Sequence, residues 1–68
     1  MKVRYDKDVD AAWIQMSSKK ATGAVEIAEG VILHTTGKNE IVAIEIIDAT
    51  KKIPIKTLYK LELSPTAA

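Results

Sequence analysis

Apolar and polar positions alternate through much of the chain, most clearly from Gly30 to Ala49. Val31 to Thr36 and Ile41 to Ile47 are apolar and β-branched, with Gly37-Lys38-Asn39-Glu40 between them. Isoleucine and valine are stiff at χ1 and suit a pleated sheet better than a helix. Gly37 and Asn39 tolerate the positive φ that hairpin turns demand. The stretch predicts a β-hairpin around which the rest is arranged.

Upstream, Lys2-Val3-Arg4-Tyr5 alternates polar and apolar and predicts a first short strand, with Val3 and Tyr5 on one face. The aspartates of Asp6-Lys7-Asp8-Val9-Asp10 favour a turn. Ala11 to Ser17 predicts a second strand, with Ala12, Ile14 and Met16 on one side and Ala11, Trp13 and Gln15 on the other. Ser17 to Gly23 is polar and aperiodic and reads as a loop. Ala24 to Ile27 predicts a brief third strand that places Val25 with Ile27. Ile53 to Leu63 fits two templates. Strict alternation gives a strand. A helix would put Pro54 in the first turn, where proline is tolerated, with Ile55, Leu58, Tyr59 and Glu62 recurring on one side, and the helix is preferred. Residues 1–63 form one expected domain and 64–68 a flexible tail. The expected fold is α+β, a small antiparallel β-meander of four to five strands with a short C-terminal helix.

Such a sheet commonly keeps one face wet. Here both faces carry apolar groups. Val42, Ile44 and Ile46 make one side of the last strand, and Ile41, Ala43 and Ile47 the other, interrupted by Glu45. Trp13 and Ala11 likewise oppose Ile14 and Met16. One face can pack on the helix, and the other needs a partner or remains an exposed patch. Trp13, Ile41, Ala43 and Ile47 are therefore interface candidates, although for Trp13 an anchor of the core is the more common role.

Length sharpens this expectation. A chain of 68 residues buries only roughly 60% of the surface its unfolded form exposes, so a lone core is marginal. There is no cysteine to cross-link it or to hold zinc, and the single histidine excludes a histidine-rich metal site within one chain. A very regular core, or assembly with another subunit, is the remaining support. Ten Lys and Arg against nine Asp and Glu is a weak charge excess for a nucleic-acid binder. No apolar run approaches the roughly 20 residues of a membrane span, and Met1 leads directly into alternation without a signal-peptide pattern. A soluble cytoplasmic protein is expected.

Lys2-Val3-Arg4-Tyr5-Asp6, Asp10-Ala11 with Trp13-Ile14, Glu29-Gly30-Val31-Ile32-Leu33 and Ile44-Glu45-Ile46-Ile47-Asp48-Ala49-Thr50 follow one another in an order and spacing that is distinctive as a set. Over residues 2 to 52 the chain resembles the small prokaryotic family known as domain of unknown function 2283, whose usual pattern runs K-V-x-Y-D, D-A-L-Y-I, G-V-I-L-D and G-I-E-I-L-D-A-S. The chain departs from it at Ala12 for leucine, Trp13 for tyrosine, His34 for aspartate and Ala43 for glycine, and its turn at Gly37-Lys38-Asn39 lacks the acidic residues. The resemblance implies no established activity, cofactor or catalytic residue. It does imply one candidate partner, because some members are regarded as antitoxins encoded beside a small toxin-like protein.

Chemistry-bearing patterns are sparse. Asp6, Asp8 and Asp10 open like a calcium loop, but the positions that need glycine and glutamate hold Ala11 and Ser17, so a plain turn is the stronger reading. His34 could pair with Glu26, Glu45 or Asp48 for acid–base work, although a lone histidine in a β-branched strand more commonly makes an ordinary cross-strand contact. No nucleophile elbow is present, and Gly23, Gly30 and Gly37 are spaced as turns rather than as a phosphate loop. Lys52, Lys56 and Lys60 would form a basic stripe if the C-terminal segment were helical, offering phosphate contacts or simply a solvated face. The expectation is a non-enzymatic interaction module without a cofactor, with weak nucleic-acid binding through the lysine stripe as the first alternative and a small acid–base or metal enzyme around His34 as the second.

Overall fold

The computed structural model describes residues 2–60. The expected tail over 64–68 and the end of the expected helix lie outside them. Five strands form one antiparallel sheet: β1 (Lys2–Asp6), β2 (Ala11–Gln15), β3 (Gly23–Ala28), β4 (Val31–Thr35) and β5 (Ile41–Ile47). A 3-10 turn over Ala49–Lys51 and a one-turn helix α1 (Ile55–Leu58) follow. Pro54 is the N-cap of α1, just ahead of its first turn. The fold is the expected α+β arrangement.

The strand order is β1-β2-β5-β4-β3. The last strand is therefore the central one. Its sequence, IVAIEII, has one charge and is the most apolar of the five, and a central strand has the least contact with water. β1 alternates charged and apolar residues and can sit at an edge. To reach the opposite edge, the chain after β2 passes the ends of β5 and β4. Met16 N and Ser17 N both donate to Val42 O, Lys19 meets Glu40 at 2.6 Å, and Thr22 N donates to Thr35 O.

Residues paired across an antiparallel ladder share a face. The register aligns Val3, Ile14, Ile44, Leu33 and Val25 in one row, and Tyr5, Ala12, Ile46 and Val31 in the next. Leu58 packs on this face with Ala12 and Ala49, and Val3, Tyr5, Ile14, Ile46, Ile53 and Ile55 close around them. The helix thus covers the β1-β2-β5 half. Val42 and Ala43 are buried apart from that cluster.

The turns are set by a few residues. Between β3 and β4, Gly30 has φ +71°, and a β-carbon there would stand 3.2 Å from Ile47 O and 2.8 Å from Lys52 Nζ. Between β4 and β5 the left-handed position belongs to Asn39, at φ 64°, rather than to Gly37. Thr36 organises that turn by accepting hydrogen bonds at Oγ1 from Lys38 N and Glu40 N.

The β1–β2 turn is tied to the far end of the chain. Asp10 adopts φ 52°, which aspartate tolerates better than most residues. Its Oδ1 accepts hydrogen bonds from Tyr5 Oη at 2.8 Å and Thr50 N at 3.1 Å, and its Oδ2 accepts one from Thr50 Oγ1 at 2.7 Å. Its carbonyl accepts from Ala49 N at 2.9 Å. Asp8 N donates to Asp6 Oδ1 in the same turn. Bonds from Thr50 and Tyr5 hold the Asp10 carboxyl below the usual aspartate range, and the bond to that carboxylate raises the Tyr5 hydroxyl above its ordinary value.

Two outcomes follow. The folded state binds the Asp10 proton less tightly than the unfolded chain, so the stabilisation is complete above the ordinary aspartate pKa and is lost as pH falls through the lowered one. Tyr5 acts oppositely: its contribution is complete below the ordinary tyrosine pKa and is lost as pH rises through the raised one. Thermal melts across pH should show both declines, and Asp10→Asn, which also accepts positive φ, should flatten the acid one. Gly30→Ala should cost about 1–2 kcal/mol in urea denaturation, because a left-handed φ is imposed on a residue with a β-carbon.

Candidate functional site

The face opposite α1 carries most of the polar chemistry. Its register rows are Arg4, Trp13, Glu45, Ile32 and Glu26, and beside them Lys2, Gln15, Ala43, His34 and Ala24. Trp13 on β2 and His34 on β4 are separated by β5. The small side chain of Ala43 lies between them and lets the two rings lean together, with centroids 4.6 Å apart and planes tilted 46°. Ala43 is fully buried as a result.

Polar partners fix both rings. His34 Nε2 lies 3.0 Å from Glu45 Oε1. Trp13 Nε1 donates to Gln15 Oε1 at 2.7 Å, and Gln15 Nε2 donates to Ser17 O. The Arg4 guanidinium stands over the Trp13 ring, 5.9 Å from its centroid, within cation–π range. Of the three acids considered for His34, the structure selects Glu45, because Ala43 and Glu45 alternate on one side of β5 and His34 pairs with Ala43. With Glu45 accepting from Nε2–H, the other ring nitrogen is left as an acceptor. The contact becomes an ion pair when the imidazole is protonated. Nearby hydroxyls serve turns: Ser17 Oγ accepts from Lys19 N, and Thr36 Oγ1 donates to Glu40. The Asp6 and Asp10 carboxylates are likewise engaged in turn contacts. Among the described residues, no three His, Asp or Glu side chains converge on a metal position.

The interface candidates separate. Trp13 is half-buried, Ile41 and Ile47 are exposed, and Ala43 is completely covered within the chain. The alternation expected to place Ile41, Ala43 and Ile47 together is broken. Ala43 pairs with His34 but Ile41 pairs with Thr35, through an irregularity that inserts Val42. A bulge of one residue reverses the facing of everything beyond it. Ile41 therefore lies on the α1 side of the sheet, while Ala43 and Ile47 lie on the Trp13 side. Periodicity alone does not reveal this, since IVAIEII alternates equally well with or without the bulge.

Lys52, Lys56 and Lys60 do not share a helix. Lys52 precedes α1 and donates from Nζ to Ile47 O, Lys56 lies within it, and Lys60 follows it. A spacing of four makes a stripe only on a continuous helix. Sequence reasoning missed the hydrogen-bonded set of Tyr5, Asp10 and Thr50. All three lie in segments that carried the family resemblance, and these residues prove to join the turn after β1 to the turn after β5.

Replacing Trp13 should be milder than removing a fully buried ring, which costs about 3–5 kcal/mol. Trp13→Ala should cost about 2 kcal/mol in urea denaturation, reflecting its half-burial. A double-mutant cycle with His34→Ala should return a coupling of about 0.5–1.5 kcal/mol, as expected for packed aromatic rings.

No curated protein and no solved structure matches the chain. A family model does, over residues 2–49, from the first strand to the start of the 3-10 turn. That match covers most of the 68 residues, and the chain belongs to the family described as protein of unknown function (DUF2283).

Proposed function

We propose that this domain is a non-enzymatic interaction module of the cytoplasm that works by association, with a second copy of itself or with a toxin-like protein encoded beside it. One observation carries the reading. The buried hydrophobic residues among those described are Ala12, Val42, Ala43, Ala49 and Leu58, while Val25, Ile27, Ile41, Ile47 and Met16 remain exposed. So small a core, with no disulfide, gains from covering that apolar surface. No helix among the described residues is long and apolar enough to cross a membrane. The antitoxin-like role comes from the family resemblance and names a candidate partner rather than a contact.

Multi-angle light scattering over a concentration series tests the first part. A mass above that of one 7.4 kDa chain is expected. Co-expression with the product of the adjacent gene tests the second, and a stable co-purifying complex is expected. A monomer at every concentration that also ignores its neighbour's product would overturn the reading.

A further inference from the structure

Resting on that reading, we infer that the self-association surface is the outer edge of β3, which pairs antiparallel with β3 of a second copy about a two-fold axis at Val25. Among the described residues β3 pairs only with β4, so its other edge presents unpaired backbone donors and acceptors. Every residue of the strand is exposed, and Val25 and Ile27 are each 57% accessible. The main chain of an open edge specifies another strand as its complement.

The sequence of β3 identifies that strand as its own copy. A two-fold axis perpendicular to the sheet keeps each face continuous and pairs residues of the same facing. Centred on Val25, it sets Val25 against the partner's Val25, Glu26 against the partner's Ala24, and Ile27 against the partner's Gly23. The two larger side chains meet the two smallest positions of the strand. On the α1 side, the row Val3, Ile14, Ile44, Leu33 and Val25 continues into the partner's equivalent row. On the other side, Glu26 faces the partner's short Ala24. His34 pairs with Ala24 within each chain, so the partner's imidazole is the next side chain along. An acid is thus directed towards an imidazole.

Competing arrangements are weaker. Moving the axis to Glu26 stacks that carboxylate directly on its own copy. Self-pairing of β1 centred on Arg4 sets two guanidinium groups together, and centred on Val3 it sets Lys2 against the partner's Arg4. Like charges directly opposite destabilise a strand pair. Pairing through β3 joins two five-stranded sheets and leaves the charged β1 edges outermost, which closes the assembly at two copies.

Sedimentation equilibrium of the wild type and of Val25→Lys tests this directly. Two lysines would meet on the axis, and the dissociation constant should rise by at least about 100-fold, the effect of a several-kcal/mol like-charge contact. Val25 is outside the cluster packed on α1, so circular dichroism should show the variant folded. The chain has no native cysteine, so Val25→Cys supplies an independent probe. Mild oxidation should yield a disulfide-linked dimer, and Val9→Cys, at a more exposed position, should not. A wild type that remains monomeric overturns both this surface and self-association. A dimer that survives Val25→Lys and does not cross-link through Val25→Cys overturns the β3 edge alone and leaves association standing.

Discussion

Asp10 joins segments that are forty residues apart. Its carboxylate receives Tyr5 from β1 and both the backbone and the side chain of Thr50, and its carbonyl receives Ala49. The turn after β1 and the turn after β5 are thereby held together, beside the ladder that pairs β2 with β5. The position of α1 depends on this tie. Ala49 is fully buried and sits under Leu58, so the helix docks where the 3-10 turn has been anchored. A protein with so few buried side chains has little packing energy with which to correct a misplaced helix, and a set of directional hydrogen bonds supplies the missing specificity.

The two faces of the sheet are stabilised by different means. Around α1 the contacts are aliphatic and close on small alanines, Ala12 and Ala49. On the other side, Trp13 and His34 shelter Ala43 with rings held by Gln15 and Glu45. That side therefore needs no helix over it. Among the described residues, exposed apolar side chains remain on β3, at the ends of β5, and at Val9, Met16 and Tyr59. Trp13, His34 and Ala43 are also three of the positions at which the chain differs from the family pattern it resembles. They meet in space, and a bulky pair of rings over β5 requires a small residue beneath them.

Some of this was legible from the residues alone. Alternation located all five strands, and Pro54 correctly marked the start of a helix. The acid partner of His34 was narrowed to three candidates, one of them Glu45. The interface candidates could not be assigned to faces, because the bulge at Val42 leaves no trace in the composition of IVAIEII. The lysine stripe assumed a helix continuous from Lys52 to Lys60, whereas α1 spans Ile55–Leu58. Aspartates in a turn point only to local turn formation. The bond from Asp10 to Thr50 spans forty positions, and local preferences carry no information about such a contact.

By itself, the sequence determined that this protein is a small antiparallel sheet, since strand content follows from a two-residue period and β-branched composition; helix or strand beyond Ile53 was decided by the tertiary structure. The sequence also determined that no disulfide or cysteine-bound metal supports the fold. Only the tertiary structure decided that the last strand lies at the centre, that Trp13 leans against His34 across it, and that β3 is left with an open edge. Those features depend on which strands become neighbours. That choice is made by packing and long-range hydrogen bonds acting together, and neither is written in any local stretch of the chain.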